Sequence, residues 1–194
     1  MLSRRTFAAA LIAVLAVPTL GPTLAAAQAT TPSAATIERQ LDAAPRVKLR
    51  PNQRVTIREF KRRPDLRRQA RSIDIQSINF AFGSAAISSS QYDKIENIAD
   101  ALQRILRRAP GARVLIEGHT DAVGTAASNL VLSDARAASV AQILTEAYHI
   151  PPENLATQGY GSSFLKIQTD GPERVNRRVV IRRITPLITV ASSP

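Results

Sequence analysis

The segment Val114-Leu-Ile-Glu-Gly-His-Thr-Asp121 turns from an apolar run to a polar loop at Gly118, and that break limits what the chain can build. Arg113 to Glu117 reads as a short strand, and the glycine leaves His119, Thr120 and Asp121 in the loop beyond it. A helix follows through Asn129-Leu-Val-Leu-Ser-Asp-Ala-Arg-Ala137. Asn129, Leu132 or Ser133, and Arg136 recur at three- and four-residue spacing and share one of its faces. A carboxylate leaving a strand thus comes near a guanidinium on the next helix. Such a pair suits a ligand carrying an ammonium and a carboxylate side by side. Asp accepts from a cation, and Arg presents a planar fork matched to a carboxylate.

The flanking pattern supplies the remaining elements. Residues 73–82 alternate apolar and polar side chains, predicting a first strand with an irregularity near Ser77. The serines at 88–90 offer an N-cap. Ile95, Ile98, Ala99, Leu102, Ile105 and Leu106 follow helical spacing, so a long amphipathic helix runs to about Arg108, stopped by Pro110-Gly111. In the second helix Ala137, Val140, Ala141, Leu144 and Tyr148 are the expected buried face, opposite Asn129–Arg136, with Pro151-Pro152 as the stop. Leu155–Tyr160 and Arg177–Ile184 are further strands, joined by a loop over 161–174. The order βαβαβ plus one more strand predicts an α/β fold of the α+β sandwich type. Two main helices pack on one face of a small mixed four-stranded sheet.

Several of these segments together resemble the carboxy-terminal, peptidoglycan-binding domain of outer membrane protein A, shared with the peptidoglycan-associated lipoproteins. The resemblance rests on Gly118-His-Thr-Asp121 and on Asn129 to Ala137. It is extended by Ile78-Asn-Phe80-Ala-Phe82, by Gly159-Tyr-Gly161 and by Asn176-Arg-Arg-Val179, and it covers residues 72–185. It implies a wall-binding module that is not an enzyme and needs no cofactor. It also implies that Asp121 takes the ammonium, and Arg136 the carboxylate, of diaminopimelate in the peptidoglycan stem peptide.

Composition locates the charge. The formal net charge is +11. Residues 46–71 hold eleven Arg or Lys against Glu59 and Asp65, whereas residues 72–194 hold twelve basic and eleven acidic side chains. Basicity therefore belongs to the stretch before the domain, and with no interleaved aromatics for base stacking, nucleic acid is not an expected partner. Residues 1–27 read as a signal peptide: Arg4 and Arg5, an apolar run from Phe7 to Val17, then small residues at Ala25 and Ala27. Ser3-Arg-Arg-Thr-Phe7 also fits a twin-arginine signal, and either route delivers the chain to the periplasm, at or near the outer membrane. Residues 28–71 are expected to be a flexible, basic leader. Within it lie a short helix capped by Thr36, a strand-like alternation at Val55–Arg58 and a helical turn or two from Pro64. This leader is either a solvated linker or a contact for an anionic membrane surface or an envelope protein. Residues 186–194 are expected to be a tail. The residues between the signal and the domain are too few to form a β-barrel and the chain has no cysteine, so neither a barrel nor a lipidated thiol is expected as an anchor.

Each candidate has a structural alternative. Asp121 and Arg136 are either a ligand clamp or a mutual ion pair. Asn129 either reaches the ligand or caps the helix, and Thr120 either donates from the loop or bonds its own turn. Leu132 is expected in the pocket wall. Arg177 and Arg178 alternate to opposite faces, so either one of them edges the pocket, for which Arg177 is the candidate, or both are solvated surface arginines. His119 lacks the companions of a metal site or an acyl-transfer triad and is expected to be buried or hydrogen-bonded. A wall-remodelling hydrolase needs two carboxylates about a cleft, and Glu117 is directed away from Asp121 by the pleat.

Overall fold

The computed structural model describes residues 31–189 apart from 77, 79 and 82. The expected export signal, the expected irregularity at Ser77 and the extreme carboxy terminus lie outside the described residues. Four strands form one mixed sheet: β1 (Ser72–Ile75), β2 (Val114–His119), β3 (Leu155–Gly159) and β4 (Arg178–Arg183), in the order β1-β4-β2-β3. β2 and β3 run parallel, while β4 is antiparallel to both β1 and β2. Two long helices, α4 (Tyr92–Arg108) and α5 (Ala126–Glu146), cover one face. This is the predicted α/β sandwich. It carries three shorter helices earlier in the chain, α1 (Ala34–Asp42), α2 (Ile57–Lys61) and α3 (Pro64–Gln69).

Period-2 alternation sorts the sheet residues. Ile73, Ile75, Val114, Ile116, Val179 and Ile181 join the helices in the larger core, whereas Leu115 packs into a second cluster on the other face. Ile95, Ile98, Leu102 and Ile105 of α4 are fully or almost fully buried, as their spacing predicts. Ser88 caps a short 3₁₀ turn that leads directly into α4. Thr125 caps α5, its hydroxyl accepting from the Ser128 amide.

The leader differs most from expectation. Residues 34–69 form three helices laid on the domain, and they are not a flexible linker. Ile37, Leu41 and Phe60 are 0% exposed. Helix α1 joins the core beside α4 and is tied there by Arg108 to Glu38 at 2.7 Å and by Arg108 and Arg183 to Asp42. Its N-cap is Ser33, whose hydroxyl accepts from the Thr36 amide. The strand-like Val55–Arg58 is split: Val55 makes an isolated parallel bridge, while Ile57 opens α2, because Thr56 and Glu59 form a reciprocal capping box. Pro64 starts α3 as expected. Phe60, Leu66 and Ala70 close over Leu115 on the sheet face that α4 and α5 leave open. The tail is corrected likewise: Leu187 and Ile188 are buried in that second cluster, and Ile188 bridges Val55. Leu115 makes this second face apolar as well, and the segment carries enough apolar residues between its charges to cover it.

Candidate functional site

Two glycines let α5 sit directly on the sheet. A Cβ at Gly118 would lie 2.0 Å from the Ser133 carbonyl oxygen, and one at Gly159 would lie 2.3 Å from the Asp134 amide nitrogen. The contact is fastened by hydrogen bonds: the Gly161 amide donates to Ser133 Oγ at 2.8 Å, and the Gly159 amide to Asp134 Oδ1 at 2.9 Å. Close approach brings the amino-terminal half of α5 against the loop that leaves β2.

Between them opens a cleft of about 1030 Å³, lined by Thr120, Asp121, Asn129, Leu132, Arg136 and Arg177 together with Phe80 and Pro172. All six candidate residues therefore meet in one place. Their surroundings differ from expectation in several ways. Asn129 and Arg136 do not lie opposite the buried face of α5. With Ser133, Ala137, Val140 and Leu144 they form one continuous buried stripe whose first turns border the cleft. Asp121 and Arg136 are 8% and 6% exposed, so only their tips reach the opening.

No ion pair joins Asp121 to Arg136 among the described residues. Asp121 Oδ2 accepts from Arg177 Nη1 at 2.7 Å, and its Oδ1 accepts from the Val123 amide at 3.3 Å. Arg136 Nε donates to the Ser84 carbonyl at 3.0 Å, and its guanidinium lies 4.8 Å from the Phe80 ring centroid. Burial lowers the Arg136 pKa from its usual value, and the neighbouring Arg177 charge lowers it further, with Asp121 opposing. Arg177 is half exposed and edges the cleft.

Asn129 is not the helix cap. Its amide donates to the Val123 carbonyl at 3.0 Å and to that of Asp121 at 3.4 Å, closing the loop against α5. Thr120 bonds its own turn, its hydroxyl donating to the Asp121 carbonyl at 2.9 Å.

Glu117 turns away from the cleft, as the pleat predicts, into a network that the sequence does not announce. It is 0% exposed and accepts paired hydrogen bonds from Arg67 and Arg182, at 2.7–3.0 Å. Burial alone raises its pKa. The His119 imidazole at 3.7 Å and the two guanidiniums outweigh this and hold it well below the usual carboxylate range. His119 is buried at the end of β2, stacked on Tyr160 at 5.7 Å, and burial lowers its pKa against the pull of Glu117. The Tyr160 hydroxyl donates to the Lys61 carbonyl, clamping α2 onto the sheet. Asn176, also fully buried, accepts from the Lys166 and Ile167 amides and so braces the loop before Arg177. Arg67 lies 50 residues from Glu117 in sequence, and no local pattern links them.

The OmpA family model matches residues 79–178, just over half of the chain, and the protein belongs to the OmpA family. It is 33% identical over 104 residues to outer membrane porin F of Pseudomonas aeruginosa, covering 53% of this chain and 29% of that protein. It is also 33% identical over 119 residues to the peptidoglycan-binding protein ArfA of Mycobacterium tuberculosis, covering 60% and 35%. The chain thus spans about a third of the length of these curated relatives. Among solved structures it is similar to the cell wall anchor of the T6SS from Pseudomonas aeruginosa. That likeness has a TM-score of 0.48 and 29% identity, and covers 59% of this chain and 80% of the other.

Proposed function

We propose that the protein is a peptidoglycan-binding module of the cell envelope, and that its cleft grips the diaminopimelate zwitterion of the stem peptide. Asp121 receives the ammonium and Arg136 the carboxylate, with Asn129, Thr120, Leu132 and Arg177 shaping the site. One observation carries this reading: both charged groups border one cleft without pairing to each other, and Arg136 has no carboxylate partner among the described residues. Its guanidinium lies over the Phe80 ring face and, among the described residues, only its Nε is bonded, to the Ser84 carbonyl, which leaves terminal guanidinium nitrogens for a carboxylate. A relative named as a peptidoglycan-binding protein and others named as outer membrane proteins support the envelope assignment. The same reading takes residues 1–27 as a signal for export to the periplasm, at the outer membrane.

The test is pelleting with purified wall sacculi, alongside titration with a diaminopimelate-containing peptide. Wild type is expected to pellet and to release no soluble fragments; clearing of the suspension would instead identify a hydrolase. Arg136→Lys is expected to bind on the order of tenfold more weakly, because a point charge does not reproduce the fork. Wild-type titration of Arg136→Lys would remove Arg136 from the site.

A further inference from the structure

The layer over the second sheet face has a charge pattern that folding alone does not require. Inward-facing Val47, Leu49, Val55 and Ile57 pack on the sheet cluster, while the residues between them, Arg46, Lys48, Arg50, Arg54 and Arg58, are exposed. Arg62, Arg63 and Arg68 add three more exposed cations from the two short helices. Acidic relief is scarce. Asp65 is bound by Arg63, and Glu59 is occupied in capping α2. Seven of the eight exposed cations have no ion-pair partner among the described residues. Like charges held together on one layer repel, so their assembly costs stability unless an anionic surface meets them.

The layer is mounted rigidly. Arg67 reaches through it to the buried Glu117, Tyr160 holds the end of α2, and Phe60 is 0% exposed. No residue of 46–71 lines the cleft, so both surfaces are available at once. Phe60 is the sole aromatic in this stretch and is buried, which leaves nothing to stack on bases or to insert into acyl chains.

We propose that this basic layer docks the domain onto an anionic phospholipid surface through head-group electrostatics, while the cleft stays free for its own ligand. Cations near a negative bilayer surface each add to the attraction, and the attraction falls within a Debye length. The layer acts as a fixed plate and sets which side of the domain faces the bilayer.

The experiment is partitioning of the full chain onto vesicles of phosphatidylcholine alone and of phosphatidylcholine mixed with phosphatidylglycerol. Wild type is measured beside the triple variant Arg46→Gln, Lys48→Gln, Arg50→Gln. The apolar run at Phe7–Val17 acts on both compositions and in both proteins, so the difference between vesicles is the readout. Wild type is expected to prefer the anionic vesicles, and to lose that preference as salt rises. The triple variant is expected to lower the preference on the order of a hundredfold, roughly fivefold per lost cation, with its thermal melt and sacculus pelleting unchanged. Equal partitioning onto both compositions, or a triple variant that keeps the wild-type preference, overturns the proposal. Capture of duplex DNA by the same residues with no vesicle preference overturns it too. Loss of sacculus pelleting in the triple variant does so as well, because the plate would then belong to the wall site.

Discussion

Asp121 is held by Arg177, at 2.7 Å, across the mouth of the cleft. Arg177 is half exposed and turns to water once Asp121 is removed, so losing the pair from the Asp121 side costs about 1 kcal/mol. Asp121→Ala is therefore expected to melt close to wild type yet bind a diaminopimelate peptide about 10- to 100-fold more weakly, the loss of one hydrogen bond to a charged group. Arg177→Gln removes only an orienting contact and is expected to weaken binding less, by about tenfold at most. Titrations and melts on the same samples decide it. A folded Asp121→Ala with wild-type affinity would remove Asp121 from the site.

The seat of α5 on the sheet makes a second forecast. In Gly118→Ala the new methyl meets the Ser133 backbone, which has no rotamer to change. Overpacking of this kind costs about 1–3 kcal/mol, or a fall in Tm of roughly 2–12 °C for a chain of this size. Binding should also weaken, since Asn129 and Arg136 ride on the displaced helix. An unshifted melting curve would show that the contact relaxes freely.

Acid should act through Glu117 and His119 in separate windows. The folded-state pKa of Glu117 is depressed, so its stabilisation is complete above the unfolded value of about 4.3 and is lost as pH falls through the folded one. His119 is also depressed, so the unfolded chain takes up its proton first, and stability declines below about pH 6.5 towards the folded pKa. Urea melts across pH are expected to lose the upper slope in His119→Gln and to weaken the lower one, which the depressed Asp65 and Glu59 share, in Glu117→Gln. Glu117→Gln should also cost about 3–5 kcal/mol at neutral pH, because Arg67 and Arg182 keep buried charge without its counter-ion.

Residues 34–71 should prove inseparable from the fold. Phe60→Ala is expected to cost about 3–5 kcal/mol. A fragment beginning at Ser72 should be largely unfolded, judged by circular dichroism and hydrogen exchange, since it exposes Leu115 and strands Glu117 without Arg67. A fragment that melts like the full chain would restore the leader to the role of a linker.

The sequence alone determined the elements whose signal is local. Helical spacing in α4, the apolar run of β2 and the Asn129–Arg136 period are all set within a few residues. The chain order of the main elements and the meeting of Asp121 with Arg136 in one cleft therefore follow from pattern, although β2 continues through Gly118 and His119 where the glycine suggested a break. Tertiary structure decided what depends on distant partners. Nothing between Val47 and Leu66 announces that scattered apolar residues among arginines will cover a sheet face, because the face they cover is built by Leu115 and closed again by Leu187 and Ile188. Nor does spacing reveal that Arg177 takes Asp121 while Arg136 turns to the Ser84 carbonyl and the Phe80 ring. Hydrogen bonds and ion pairs are chosen by proximity in the folded chain, and a guanidinium leaves no periodic trace of which carboxylate it will find.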